Sequence, residues 1–141
     1  MKSVVPGESP CYYINVRRAA NLLTRFYDKT LEPINLSVSQ FSLLNKIKQM
    51  GPCNKSALAQ YSGLDRTTII RNLNTLRDSA LITEVPGTDK RNALVQLTDL
   101  GESALTAGLP LWKQAQDQVK AVVGSECIEH LKNILAKIET L

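Results

Sequence analysis

The chain has 141 residues, of which 43% are hydrophobic and 21% charged, the length and composition of one ordinary globular domain, which argues against a two-domain enzyme, a disordered chain or a collagen-like repeat. Its longest apolar runs, such as Ala121–Val123, fall far short of the ~20 residues that cross a bilayer, so no membrane partner is expected. The net charge of +4 favours an anionic partner, and residues 99–141 carry four Lys and Arg against six Asp and Glu, so a nucleic-acid surface is expected before that stretch.

The opening Met1-Lys2-Ser3-Val4-Val5-Pro6-Gly7 lacks the apolar stretch of a secretory signal, and a cytoplasmic location is the default expectation. From Tyr12, apolar residues recur at Val16, Ala19, Leu23, Phe26 and Tyr27, the period of one long amphipathic helix that Pro33 ends or interrupts. Ser37 with Gln40 three residues on is a capping-box pattern, and Phe41, Leu44, Ile47 and Met50 form the apolar face of a second helix before Gly51-Pro52 stops it. Asn54 caps a short third helix through Ala57, Leu58 and Ala59, and Gly63 follows where a left-handed turn residue is wanted. Asp65 caps a fourth, whose wheel sets Ile69, Leu73, Leu76 and Ala80 on one side and Thr67, Arg71, Asn74 and Asp78 on the other.

The period then changes. Leu81–Val85 and Ala93–Leu97 are short β-rich segments around a turn, Pro86 to Asn92, that carries Lys90 and Arg91. Thr98 caps a fifth helix through Leu100, Ala104 and Leu105, with a break or bend expected at Gly108-Leu109-Pro110, continuing through Trp112, Ala115, Val119 and Val122. A last helix from about Ser125 carries the stripe Ile128, Leu131, Ile134, Leu135, Ile138 and Leu141. The fold class expected is therefore mainly α with a small β-hairpin wing.

Two short helices joined by a glycine turn, the second with a core face and an opposite polar face, make a helix-turn-helix, and the basic hairpin makes it winged. Such a helix fits the major groove of B-DNA, where an arginine donates twice to guanine and an asparagine pairs twice with adenine. Arg71 and Asn74 occupy that face, and Thr67 and Thr68 add hydroxyls beside the free N–H groups of the helix start, a natural phosphate seat. Lys90 and Arg91 at the hairpin tip suit a phosphate or a narrow minor groove.

Leu58-Ala59, Gly63-Leu64, Thr67-Thr68-Ile69, Leu73, Leu76, Leu81-Ile82, Asp89-Lys90-Arg91, Leu94-Val95, Leu97-Thr98 and Gly101 resemble the winged-helix core of the MarR (multiple antibiotic resistance regulator) transcription factors. Arg17-Arg18-Ala19-Ala20 and Leu36 through Leu44 resemble that family's first two helices, so the likeness runs from Cys11 onward. It implies a sequence-specific regulator, usually a repressor, that binds double-stranded DNA at a pseudo-palindromic operator as a homodimer. It makes residues 1–141 a single unit, with 37–98 as the DNA-binding core and 11–33 and 99–141 as dimerisation helices. Carried over, the DNA-binding positions are Arg66, Thr67, Thr68, Arg71, Asn74, Lys90 and Arg91, with Asp89 orienting the wing arginine. The sequence departs from the family pattern at Glu84, where many relatives have a basic residue, and in a wing about one residue shorter than is common.

The resemblance also implies a small anionic or phenolic effector, for which Arg17 and Tyr13 are the candidates, against the alternative that an arginine pairs with a carboxylate such as Asp28. Cys11 precedes the first helix beside Tyr12 and Tyr13, and because a lone cysteine near this place is oxidised in peroxide-sensing members of the family, the resemblance makes peroxide sensing an alternative. A winged helix that binds protein rather than DNA is the other. Cys53 and Cys127 read as small buried or interfacial hydrophobes, and three widely spaced cysteines draw neither a disulfide framework nor a metal knuckle. His130 and Glu126 are i, i+4 neighbours on what reads as a solvated ion-pair face rather than a metal site. No catalytic motif is present and only one histidine is available as a base, so neither enzyme activity nor a cofactor is expected.

Overall fold

Four helices start where a side chain accepts the N–H groups that a helix start leaves open. In a computed structural model described over residues 7–88 and 93–141, Ser37 Oγ accepts from the Gln40 amide at 3.1 Å while Gln40 Oε1 accepts from the Ser37 amide at 3.1 Å, a complete capping box. Asn54 accepts from the Ala57 amide at 2.7 Å, Asp65 from Thr68 at 3.0 Å and Thr98 from Gly101 at 3.0 Å. The elements in chain order are α1 (Tyr12–Thr30), a short 3-10 turn (Glu32–Ile34), α2 (Val38–Met50), α3 (Lys55–Ser62), α4 (Arg66–Asp78), β1 (Ile82–Val85), β2 (Leu94–Leu97), α5 (Asp99–Val123) and α6 (Ser125–Ile138). The strands are antiparallel, pairing Ile82 with Leu97 and Val85 with Leu94.

Two expectations are corrected. Helix α5 runs unbroken through Gly108-Leu109-Pro110. Proline removes the hydrogen bond to the carbonyl four residues back, which belongs to Thr106, and both residues are exposed, so water can serve that oxygen. Gly108 serves packing instead, since a Cβ there would meet the Phe41 ring and Ile34. Ala80 does not extend the core face of α4, because the helix ends at Asp78 and Ala80 sits exposed at φ 59°, in the left-handed region.

The main core joins Leu43, Leu44 and Ile47 of α2, Leu58 of α3, Ile69, Leu73 and Leu76 of α4, and Ile82 and Val95 of the hairpin. A smaller cluster of Leu31, Phe41 and Leu105, with Trp112 packed against it, seats the winged unit on α1 and α5. Trp112 thus packs at the root of the arms formed by α1, α5 and α6. Beyond that root the arms lack a protein core of their own. Tyr12 is 87% exposed, Val122 87% and Leu135 58%, and no residue of α1 or α6 is fully buried. No described helix is long and apolar enough to cross a membrane.

The tightest junction lies where α5 leaves the hairpin. The Thr98 hydroxyl donates to the Ala80 carbonyl at 2.6 Å and its amide to that of Leu81 at 3.1 Å, which brings the buried Gly101 so close that any Cβ would collide with the Leu81 carbonyl oxygen. Gly101→Ala should therefore destabilise the protein by about 1–3 kcal/mol, as overpacking against rigid backbone does. Urea denaturation with an unchanged midpoint would refute the close approach.

Candidate nucleic-acid interface

The polar face of α4 is aimed outward by what lies behind and before it. Ile69, Leu73 and Leu76 are buried, which turns Arg66, Thr67, Arg71 and Asn74 to the exposed side, one or two positions per turn. The chain reverses between α3 and α4 at Gly63, whose φ of 68° places it in the left-handed region that glycine tolerates without strain. Two hydrogen bonds from Thr68, hydroxyl to Oδ1 at 2.5 Å and amide to Oδ2 at 3.0 Å, hold the Asp65 carboxyl below the usual aspartate range, with a smaller pull from Arg71. Thr68 is accordingly half-buried with its hydroxyl proton already committed to the cap, while Thr67 stands exposed.

Asp89, Lys90 and Arg91, the expected wing-tip residues, lie outside the described residues. The root of the wing is defined. Glu84 on β1 lies 3.2 Å from Lys55 Nζ at the start of α3 and accepts from Arg77 Nη1 in the last turn of α4 at 2.9 Å. Two cations with one carboxylate leave this cluster net positive. Arg77 Nη2 in turn donates to Asn74 Oδ1 at 2.5 Å. Lys55 and Arg77 were not among the positions singled out from the sequence. The i, i+3 spacing of Asn74 and Arg77 was available as a signal, but the pairing through Glu84 joins three separate elements.

Cys53 adds a short bridge at the edge of the hairpin. Its amide donates to the Val95 carbonyl at 3.1 Å and its carbonyl accepts from the Val95 amide at 2.7 Å, so the segment before α3 is tied to β2. Cys53 is buried, and burial pushes its thiol pKa up. Cys11 and Cys127 are both exposed in the single chain, Cys11 at the start of α1 and Cys127 on α6.

Arg17 and Tyr13 are brought together on α1, Arg17 Nη1 donating to the Tyr13 hydroxyl at 3.3 Å on an exposed face. Asp28 is used elsewhere, since its Oδ1 accepts the Val38 amide at 2.7 Å and so ties α1 to the start of α2. Farther along α1, Leu23 and Phe26 line an apolar recess with Val119, Val122 and Val123 of α5. Among the described residues no three His, Cys, Asp or Glu side chains converge to hold a metal, and His130 stands exposed on α6.

The sequence model of the MarR family matches residues 36–92, the stretch from the start of α2 to the wing. An uncharacterized HTH-type transcriptional regulator of Bacillus subtilis, YwoH, is 29% identical over 87 residues, covering 62% of this chain and 64% of that protein, so the match spans less than two thirds of the relative's length. The M. tuberculosis transcriptional regulator MosR, solved in complex with DNA, is 35% identical and superposes with a TM-score of 0.81 over 92% of this chain and 97% of its own. A mutant MarR of E. coli, complexed with operator DNA, superposes with a TM-score of 0.79 over 88% of this chain and 90% of its own; at 20% identity that likeness shows the fold.

The depressed Asp65 pKa carries a sign. The carboxylate form supports the start of α4, so its contribution is present above the pKa of an unfolded aspartate and is lost as pH falls through the lower folded value. An NMR titration should find the Asp65 midpoint below that of an unperturbed aspartate, and Thr68→Val should raise it. An unshifted midpoint in the parent protein would remove the cap.

Proposed function

The chain belongs to the MarR family of DNA-binding transcription regulators, and we propose that it is a cytoplasmic repressor that grips a pseudo-palindromic operator as a homodimer and is released by a small effector. The observation that carries this reading is α4 itself. One face is locked into the core, while the other presents Arg66, Thr67, Arg71 and Asn74 with a cluster of net positive charge at its far end. Arg71 then reads a guanine edge in the major groove, and Arg66 with Thr67 meets phosphate at the helix start. Lys90 and Arg91, oriented by Asp89, extend the contact into the adjacent minor groove. MosR, similar over nearly its whole length, is a regulator solved with DNA bound, which supports the same use here.

The dimer rests on unspent apolar surface. Tyr12, Val16 and Leu22 of α1, Val122 of α5 and Leu131, Ile134, Leu135 and Ile138 of α6 are all exposed in one chain. So extensive a set of large apolar side chains calls for a partner surface, and a second copy offers the same stripes in return. Two-fold symmetry places the recognition helices roughly 34 to 36 Å apart, one DNA turn, which requires two half-sites. The Arg17 guanidinium and Tyr13 phenol are the groups assigned to a small anionic or phenolic effector.

Selection of bound sequences from random duplexes is the direct test. It should return inverted half-sites, with binding that weakens steeply as salt rises because phosphate contacts release counterions. Enrichment of no sequence, or affinity indifferent to salt, would favour a winged helix that binds protein. Arg71→Ala should cost about 1–3 kcal/mol per half-site and relax one position of the operator; an equal loss on every sequence would make Arg71 a phosphate contact instead. Light scattering should give twice the 15.6 kDa chain mass. A folded monomer at micromolar concentration would end the two-half-site mechanism.

A further inference from the structure

One side chain of α4 has no part in the contacts above. Among the described residues of that helix, Ile70 is the large apolar side chain left exposed, at 39%, while Ile69, Leu73 and Leu76 are buried. At 100° per residue it lies between the core stripe and the outward face, in one row with Arg66 four residues before it and Asn74 four after. Both of those neighbours are exposed, as is Thr67 one turn back. Helix stability supplies no reason for isoleucine there, since a β-branched side chain ranks below alanine, lysine or glutamate on a solvated helix face. The apolar surface assigned to a second copy lies on α1, α5 and α6, which leaves Ile70 apart from it.

An apolar group set among Arg66, Thr67 and Asn74 meets base edges that carry hydrogen-bond donors and acceptors, to which thymine alone adds a methyl group, at C5. Resting on the DNA-binding reading above, we infer that Ile70 is a specificity-determining residue that selects thymine by packing on its C5 methyl. The choice has two parts. Methyl and isoleucine leave water together, which favours thymine. An adenine or cytosine amino group at the same place would instead be stripped of water against an apolar side chain that cannot bond it. Arg71 is the next residue in the chain, and a rise of about 1.5 Å per helical residue against about 3.4 Å per base pair sets this thymine within about two base pairs of the guanine assigned to Arg71.

The test uses the full chain and operators recovered by selection from random duplexes. Each parent half-site should hold a thymine whose preference disappears in Ile70→Ala. Replacing that thymine with deoxyuridine keeps every hydrogen-bonding group and removes only the methyl. The exchange should weaken the parent about fourfold per half-site, the effect of burying about one methyl group, and leave the affinity of Ile70→Ala unchanged. Ile70→Val keeps most of the apolar surface and should retain the sensitivity, so a folding defect in the alanine variant does not block the reading. A merely structural role for Ile70 would lower affinity on all operators and leave the response to deoxyuridine as in the parent. A parent indifferent to deoxyuridine at every thymine, or an Ile70→Ala protein that loses as much on the exchange as the parent does, would overturn the inference and leave operator binding in place. A parent that enriches no sequence would remove the DNA-binding reading, and the inference with it.

Discussion

Every outward-facing group of α4 takes its direction from the burial of the opposite face. Ile69, Leu73 and Leu76 sit against Leu43, Leu44 and Ile47 of α2 and Leu58 of α3, and the burial of each such side chain stabilises by roughly 1.5–3 kcal/mol. A helix held by one continuous apolar stripe has little freedom to roll about its axis. Arg66, Thr67, Arg71 and Asn74 are therefore presented as a fixed set, which is what a groove of defined width needs. The capping at Asp65 and the left-handed Gly63 set where the helix begins, so the stripe also fixes the helix along its length.

Polar contacts refine what the core has placed. The Lys55–Glu84–Arg77 cluster is partly exposed, and ion pairs of that kind contribute only about 0–1 kcal/mol each. Their value is geometric. They tie α3, the end of α4 and the first wing strand at one point, and the rigid fork of Arg77 passes that restraint on to the Asn74 carboxamide. The Cys53–Val95 bridge does the same for the backbone on the hairpin's other edge. Wing and recognition helix thus behave as one unit, so that a displacement of either should be felt by both.

The arms follow a different logic. Phe41, Leu31, Leu105 and Trp112 seat the winged unit on α1 and α5, and Asp28 reinforces the joint by accepting the Val38 amide. Outward from that joint the apolar stripes of α1 and α6 find no partner within the chain. In the proposed dimer the surface that joins two copies is thus continuous, through α5 and its glycine contacts at Leu81 and Phe41, with the unit that meets DNA.

Much of this was legible in the sequence because the signals are local. Caps at Ser37, Asn54, Asp65 and Thr98 depend on residues three apart, and the apolar stripes of α2 and α4 depend on a 3.6-residue period, so element starts and buried faces could be read directly. The family resemblance was carried by the same short spacings in the winged-helix core. Local signals misread two places: proline and glycine at 108–110 suggested a break or bend, and the helix is not broken there, while Ala80 continued a wheel that the backbone leaves at Ser79. What only the tertiary structure decided are the contacts between residues far apart in the chain. Lys55 meets Glu84, Asp28 meets Val38, Cys53 pairs with Val95 and Gly101 lies against Leu81 because separate hydrophobic faces share one core, and no periodicity within a segment encodes which surfaces that core will bring together.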